Sequence, residues 1–596
     1  MILMIALGGM MVALEVVLER YVGVSTDQNR YTPAFIARAV TGSLFGPWFS
    51  AIIGALADFI GAAIIYGSPN PFLSITALLR GFFYGLFLKG KITLKKTIAA
   101  VLCVEILCSL LVNTYILHIM YNTDITVTFI KRLPQVGIYI ALQIPYIMLI
   151  GKFLVPELRR IFRGYADMGT VSEAVKNVIK PGSHPGLSRV RAFADILGNP
   201  EQKLKFIHVA GTNGKGSISN MIASVLKESG LKVGIFNSPY LDSPREYFNI
   251  NGKVASEQRF LKITEELTEI VREKTGNEGF EAPTEFEFFT CAALKYFADK
   301  DCDIVVLEAG MGGKDDATNF IQAPELSVIT NIGLDHVAYL GDTIKEIAAH
   351  KAGIIKKGSA VVLYPSCEEA LEVLKDKCKE NSIEPVIADF IRLSSYPAYE
   401  EDYSSMVDYV TESGKKYAVK LTTPAIYQAR NAAVALEAIE ILKDRGYMIS
   451  DEAIELGMYH FSMPARFEIL RQNPLVIADG GHNPQCLEAV TESLSPLLAG
   501  KKAVVLTAVM KDKDYKSMYN IIDPFASEYV TVTANNKRAL DASALARFLE
   551  QYRKPVISSV SVEEGVKKAL ECAGTDGVVL VTGSLYMMDD VRKALK

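Results

Sequence analysis

The sequence lacks an excess of charge of either sign: 63 Lys and Arg stand against 67 Asp and Glu over 596 residues, and the isoelectric point is near 6.1. A chain that tracks a phosphate backbone needs clustered cations, so nucleic acid is not an expected partner. It lacks paired cysteines as well. The eight present (Cys103, Cys108, Cys291, Cys302, Cys367, Cys378, Cys486, Cys572) form no CxxC pair and no His/Cys cluster at zinc-ligand spacing, which reads as reduced thiols. The amino terminus is apolar but lacks the basic n-region and small-residue cleavage site of a signal peptide, and further apolar segments follow it, so a retained membrane helix is expected. No internal repeat and no low-complexity stretch is visible.

Mean hydropathy is +0.20, an average over two unlike parts: about the first 155 residues are nearly all apolar and the rest has the composition of a soluble protein. Apolar stretches recur at Met1–Leu18, Ala34–Phe45, Trp48–Tyr66, Phe72–Leu88, Thr97–Met120 and Pro134–Ile150. A bilayer crossing takes about 20 residues, and the second stretch is short and Gly/Pro-flanked, so hydropathy allows five or six spans. Six is the expectation, because an even number puts both termini on one side. Lys89, Lys91, Lys95 and Lys96 after the fourth span, and Lys152, Arg159, Arg160 and Arg163 after the sixth, would then lie inside, while Lys131 and Arg132 fall outside. A multi-pass all-α protein of the cell membrane, with the rest of the chain in the cytoplasm, follows.

Beyond Arg163 strands and helices alternate. Strands are expected at Phe206–Ala210, Val233–Phe236, Ile304–Leu307, Ser327–Thr330 and Ala360–Leu363, each followed by helical pattern, the first by a helix near Ser217–Ser229. This describes parallel βαβ units and an α/β nucleotide-binding domain. From about Glu468 a second series (Leu475–Ala478, Ala503–Thr507, Tyr529–Thr533, Gly577–Thr582) describes a smaller, Rossmann-like α/β domain. The expected division is a membrane domain over 1–157, a linker over 158–175, an ATP-binding domain over 176–467 and a C-terminal domain over 468–596.

The strand Phe206–Ala210 runs into Gly211-Thr212-Asn213-Gly214-Lys215-Gly216-Ser217 and then a helix, the context a phosphate loop needs. Glycines let backbone N–H groups close on phosphates, the helix start adds positive potential, Lys215 offers a point charge and Ser217 a hydroxyl for Mg2+. The common GxxxxGK[ST] form is not met: Val209 takes the first Gly position and Gly216 separates Lys215 from Ser217.

This loop resembles that of the folylpolyglutamate and dihydrofolate synthases, relatives of the Mur ligases. Ser238-Pro-Tyr-Leu241, Pro283-Thr-Glu-Phe-Glu287, Glu308-Ala-Gly-Met-Gly-Gly-Lys-Asp-Asp-Ala-Thr-Asn319, Ile332-Gly-Leu-Asp-His336, Lys351-Ala-Gly-Ile354, Arg466-Phe-Glu468, Asp479-Gly-Gly-His-Asn483 and Thr582-Gly-Ser-Leu-Tyr586 follow in the family's order, over about residues 168–596. The resemblance implies an ATP-dependent ligase that joins L-glutamate to a folate through an acyl phosphate, with two Mg2+ ions. It implies catalytic roles for Lys215, Glu308, His336 and Lys351, metal ligation by Ser217, Ser238, Glu308 and His336, and nucleotide contacts from Gly211–Ser217, Asn431, Arg466, Asp479 and His482. Lys351 matches a lysine that carries a carbamate in this family, although His350 replaces the usual Glu before it. Pro464-Ala-Arg466 replaces Pro-Gly-Arg, which puts the turn more in doubt than the arginine. Taken alone, Asp479 reads more readily as a helix cap and Arg466 as a surface ion-pair partner. Dihydropteroate as substrate, hence dihydrofolate synthase activity, stays open.

In the apolar part, Phe45-Gly-Pro-Trp48, Leu56-Ala-Asp-Phe-Ile-Gly61 and Leu79-Arg-Gly-Phe-Phe-Tyr-Gly-Leu86 are similar to the folate-specific S component of energy-coupling-factor (ECF) transporters. The resemblance implies folate binding by residues 1–157 and partnership with a coupling transmembrane subunit and two ATP-binding subunits. Ala6, Gly9, Met10 and Ala13 would form the small-residue docking face. Arg38, Asp58, Arg80 and Glu105 lie within apolar spans, where a charge is costly unless paired or functional. A buried Arg38–Asp58 pair and a hold on folate's carboxylates are both open, as is a membrane part that serves only as an anchor.

Overall fold

The computed structural model describes residues 2–22, 24–25, 30–66, 71–89, 92–182, 184–240, 243–276, 279–399, 403–536 and 538–595. The chain divides into two compact units, Met1–Thr170 and Val171–Lys596.

The first unit is helical: α1 (Ile2–Arg20), α2 (Phe35–Phe45), α3 (Pro47–Tyr66), α4 (Pro71–Leu88), α5 (Leu94–Tyr121) and α6 (Ile125–Lys176). Each apolar stretch of the sequence falls on one of them. By length and composition three, Pro47–Ile64, Leu94–Tyr121 and Ile125–Val155, are long and apolar enough to cross a membrane. The 11 residues of α2 rise only about 16 Å, half of a hydrocarbon core. Within α5 the backbone widens to a π-helix over Cys103–Val112. The segment 158–175 is helical, as part of α6; Lys91 and the side chains of Ala6, Arg159, Arg160 and Arg163 lie outside the described residues. Gly9, Met10 and Ala13 are exposed.

The internal charges pair differently from the sequence expectation. Arg38 does not meet Asp58. Its Nε donates to Glu15 at 2.5 Å and its Nη2 to Glu19 at 2.8 Å, both on α1, while Asp58 accepts from Arg20 at 3.2 Å and from the Ser74 hydroxyl at 2.9 Å. Two acids one turn apart on α1 outcompete the single acid on α3, a choice that residue spacing within apolar runs does not reveal.

The second unit holds two principal sheets. The first contains β1 (Phe206–Ala210), β2 (Val233–Phe236), β3 (Ile304–Glu308), β4 (Leu326–Ile329) and β5 (Ala360–Leu363), parallel in the order β5-β4-β1-β3-β2, with short strands at both edges. Helices cover both faces, so β1 and β3 are buried at every residue, and near-continuous Val/Ile/Leu runs result. The second sheet contains β6 (Glu468–Gln472), β7 (Leu475–Asp479), β8 (Ala503–Thr507), β9 (Ala526–Thr531), β10 (Val556–Ser558) and β11 (Val578–Thr582), in the order β6-β7-β11-β8-β9-β10, parallel except for β6. A third, antiparallel sheet (Leu393–Tyr399, Ser404–Val410, Lys416–Leu421) lies between them in sequence. Of these strands, β6, β10 and the antiparallel three were not expected from the sequence.

Candidate active site

Strand β1 ends against its neighbours at Ala210, and the chain turns through Gly211–Gly214 into helix α7 (Lys215–Glu228). Gly214 has φ 88, a left-handed conformation that a side chain would disfavour. No side chain caps the helix, so its first N–H groups face outward as a preformed anion site. The loop is anchored from the β4 side: Thr212 N donates to Asn331 O at 2.7 Å, Thr212 Oγ1 to Gly333 O at 3.0 Å, and Thr330 Oγ1 to Asn213 O at 2.7 Å. Lys215 Nζ donates to Thr212 O at 3.2 Å.

Glu308 ends β3 beside this helix start. Its Oε2 accepts from Ser238 N at 3.2 Å, and a Cβ added to Gly216 would come within 3.4 Å of the same oxygen and 2.9 Å of Met463 Cε. The extra glycine of the loop is thus the residue on which the carboxylate rests. Burial pushes the Glu308 carboxyl up to about 7, against the opposing pull of Lys215. Such a buried oxygen ligand, with the Ser217 hydroxyl 2 % exposed on the first turn, suits a hard divalent cation, whose charge would restore the ionised form. Among the described residues no group of three or more His, Cys, Asp and Glu converges on a metal position. His336 lines the same cavity, and the charges that act on it are Asp335, Lys513, Lys215 and Lys351; of the expected metal set, Glu308 and Ser238 are in direct contact, and Ser217 and His336 line the same space.

Lys351 is 3 % exposed, and its Nζ donates to Gly211 O at 2.6 Å. Burial, reinforced by the Lys215 charge, lowers its amine to about 7. His482 donates through Nδ1 to Gly480 O at 3.0 Å, and burial holds it down at about 4, a neutral ring at physiological pH.

Two expected nucleotide contacts have structural work. The Asp479 carboxylate accepts from Tyr427 Oη at 2.6 Å, Phe467 N at 2.9 Å and Gly481 N at 2.8 Å. It caps no helix; Asn483 does that for α8 (Pro484–Leu498). The turn it holds places Arg466 on the cavity wall, with no ion pair among the described residues, and with Ala465 at φ 58 and Phe467 at φ 54. The Ala that replaces the usual Gly therefore keeps the left-handed turn, at a cost of about 1 kcal/mol. Asn431 donates to Gln428 Oε1 at 3.0 Å, and its Oδ1 lies 2.8 Å from where a Gly214 side chain would begin.

Contacts that sequence reasoning did not foresee join the two sheets' lobes. Asn213 meets Asn483 (3.0 Å) and Cys486 Sγ (3.0 Å) at the start of α8, and Lys513 pairs with Asp335. Asp335 and Asn483 lay in quoted motifs; the signal for Lys513 was an alternating charge run, Lys511-Asp-Lys-Asp514, just past the carboxyl end of β8. Between the lobes is a cavity of about 920 Å³ whose walls include Gly211–Ser217, Ser238, Glu308, His336, Lys351, Asn431, Arg466, Asp479 and His482. All sequence-derived site residues line this one space. Leu241, in the Ser238–Leu241 motif, lies outside the described residues.

Known proteins share this arrangement. Residues 209–439 match the Mur ligase middle domain and residues 465–585 the Mur ligase, glutamate ligase domain. The dihydrofolate synthase/folylpolyglutamate synthase of Bacillus subtilis is 35% identical over 429 residues, 70% of this chain and 96% of that protein. The folylpolyglutamate synthase of Lacticaseibacillus casei is 30% identical over 72% of this chain and 98% of its own length. The structure of Mycobacterium tuberculosis folylpolyglutamate synthase complexed with ADP and AMPPCP superposes with a TM-score of 0.66 at 27% identity, covering 72% of this chain and 99% of that one. With the phosphate loop, the cleft and the two lobes in place, this chain belongs to the folylpolyglutamate/dihydrofolate synthases, ATP-dependent ligases of the Mur ligase family.

Proposed function

We propose that residues 171–596 add L-glutamate to a folate by way of an acyl phosphate, and that Lys215, Glu308, His336 and Lys351 carry the step. The observation that carries this reading is the uncapped start of α7 with Glu308 and Lys215 beside it, inside the interlobe cleft. The triphosphate of ATP lies along Gly211–Ser217, and Asn431, Arg466 and His482 line the nucleotide's side of the cleft. Transfer of the γ-phosphoryl group to the substrate's terminal carboxylate brings two anions together, so positive charge must sit at the point of transfer. Lys215 and the first-turn N–H groups supply part of it. Two Mg2+ ions, held by Glu308, Ser217, Ser238 and His336, would supply the rest as Lewis acids. ADP leaves, the glutamate amine attacks the acyl carbon, and the tetrahedral intermediate collapses to the amide with loss of phosphate and a proton. The amine of Lys351, lowered by burial so that a substantial neutral fraction is present near neutrality, is suited to take up CO2 as a carbamate, which would turn a cation into an anion beside the metal.

Residues 1–157 we read as a six-helix membrane unit, its short α2 reaching only part-way through the bilayer, that captures folate, working with a coupling subunit and two ATP-binding subunits of the ECF type. The helices at all six apolar stretches and the exposed Gly9, Met10 and Ala13 on α1 support this. Each glutamate added in the cytoplasm contributes about one negative charge at neutral pH, and charge does not cross hydrocarbon, so ligation would retain what the membrane unit admits. Dihydrofolate synthase activity, with the membrane unit as an anchor, is the second reading; the double name of the Bacillus subtilis relative favours keeping it.

The test is glutamate incorporation by the full chain with ATP and either tetrahydrofolate or dihydropteroate as acceptor. Incorporation on tetrahydrofolate that Lys215→Ala abolishes is the expected result. Turnover by dihydropteroate alone would select the second reading, and substantial turnover by Lys215→Ala would remove the loop from the mechanism.

A further inference from the structure

The first unit treats its arginines in two ways. Arg20 and Arg38 are matched by carboxylates, Asp58 for the one and Glu15 with Glu19 for the other. Arg80, on α4, and Arg132, on α6, have no carboxylate partner at ion-pair distance among the described residues. Arg80 Nη2 donates to the Ser109 hydroxyl at 3.1 Å. The terminal nitrogens of Arg132 reach the Asn113 amide, whose oxygen, turned toward them, accepts at 2.8 and 3.2 Å. Both Nε atoms are buried and have no partner among the described residues.

These groups are neighbours. Arg80 and Glu105 both act electrostatically on Arg132, and α4 packs against α5, which carries Glu105, Ser109 and Asn113. Glu105 is the acid in reach, and one of its oxygens already accepts from Gln143 Nε2 at 2.8 Å, whose Oε1 in turn accepts from Tyr84 Oη at 2.6 Å. Two cations therefore share one carboxylate that is already engaged. Thr76, one turn before Arg80, and Thr114, next to Asn113, are 3% and 2% exposed, and their hydroxyls too have no partner among the described residues. Buried donors left unpaired in an apolar bundle mark a place where something is bound.

We propose that the space between Arg80 and Arg132 holds the carboxylate of an anionic solute, with Ser109, Asn113 and the Thr76 and Thr114 hydroxyls beside it. Guanidinium forks match a planar carboxylate in two-pronged geometry, and the surrounding apolar helices suit a ligand whose remaining body is uncharged. The assignment rests on the reading of residues 1–157 as a folate-capturing unit and deepens it: the glutamate end of folate is the part these arginines hold.

The experiment measures equilibrium binding of labelled folate, 4-aminobenzoylglutamate and pteroate, which lacks the glutamate carboxylates, to the full chain in lipid nanodiscs. Wild type is compared with Arg80→Gln, Arg132→Gln and Arg132→Lys, each checked for monodispersity and melting temperature. The expected result is that the two glutamate-bearing compounds lose at least tenfold in affinity, and about one bound molecule per chain at fixed concentration, in both Gln variants. Arg132→Lys recovers part of it and pteroate changes little. Equal losses for pteroate, or folate binding unchanged in well-folded variants, overturn the site while leaving folate capture standing. Arginine-dependent binding of 4-aminobenzoylglutamate without folate binding overturns folate capture and leaves the carboxylate site. Binding that matches the ligase cleft alone overturns both.

Discussion

Lys513 Nζ lies 2.7 Å from Asp335 Oδ1, and this ion pair, with both side chains 13–14% exposed, ties the second lobe of the ligase unit to the loop that follows β4. Asp335 is also the anion beside His336, Lys351 and His482. The pair thus bridges the two sides of the cleft, and Asn483, which donates to Asp335 Oδ2 at 3.5 Å, links it to the Asn213–Asn483 contact that binds the phosphate loop to α8.

Breaking that pair should uncouple closure from folding. Lys513→Ala is expected to raise the KM for ATP or glutamate at least tenfold, with a stability loss of about 1–2 kcal/mol, since the pair is only partly buried. Burial raises the Asp335 carboxyl, but Lys513 overrides it and leaves the group below its ordinary range. A depressed carboxyl contributes stability at neutral pH and above the unfolded value, and that contribution disappears as pH falls through the folded one. Urea unfolding should therefore separate wild type from Asp335→Asn at pH 7 and bring them together in strong acid. Identical kinetics for Lys513→Ala would remove the pair from closure.

Glu308 has the opposite sign. Its folded carboxyl is raised from 4.5 to about 7, so the folded chain holds a proton that the unfolded chain releases between those values. The stabilising contribution is complete below 4.5 and is lost as pH rises through about 7. Without metal, stability should drop across this window by on the order of 1–3 kcal/mol, and Glu308→Gln should flatten the slope. Added Mg2+ should raise the melting temperature of wild type at pH 8 and leave Glu308→Gln unmoved. An equal Mg2+ shift in both would place the ion elsewhere.

Much of this site was legible in the sequence because it lies where strands end. Glu308 at the end of β3 and Asp479 at the end of β7 are preceded by uniformly apolar runs, and the loop after β1 by a run interrupted only by His208; a strand buried on both faces must deliver its next polar residue to the sheet edge. What was not legible depends on pairing across long sequence separations. Whether Arg38 meets Glu15 or Asp58, and whether Lys513 crosses to Asp335, is decided by helix and lobe packing, on which single-chain periodicity is silent. Strand β6 escaped notice for a local reason: Glu468, Arg471 and Gln472 put polar residues into an edge strand that pairs on one side only with β7.

The Asp479 carboxylate should matter first for architecture. Asp479→Ala leaves the Tyr427 hydroxyl and the Phe467 and Gly481 amides without their acceptor, at an expected cost of about 2–4 kcal/mol. Arg466 lies one residue before Phe467, so the same change should also raise the KM for ATP. Asp479→Asn keeps one carbonyl oxygen and should recover part of the stability. If Asp479→Ala instead unfolds like wild type and loses only activity, the residue acts on substrate directly.

Lys351 ties the site to CO2. Its buried amine titrates near 7 against 10.5 in an ordinary lysine, so the unfolded chain holds the extra proton between these values, and this residue's contribution to stability grows as pH rises through that window. Only the neutral amine can attack CO2, which forms the N–C bond of the carbamate and releases a proton. At limiting bicarbonate, activity should therefore climb between pH 6 and 8, and added bicarbonate should restore the acid side of the profile. Lys351→Ala should lose at least a hundredfold in turnover and regain part of it with millimolar short-chain carboxylates, which can occupy the vacated space as anions. Lys351→Arg keeps a cation but has no nucleophilic amine, so it should be inactive and resist that rescue. Full activity of Lys351→Arg would mean that positive charge at Gly211 O, and not a carbamate, is what the site requires.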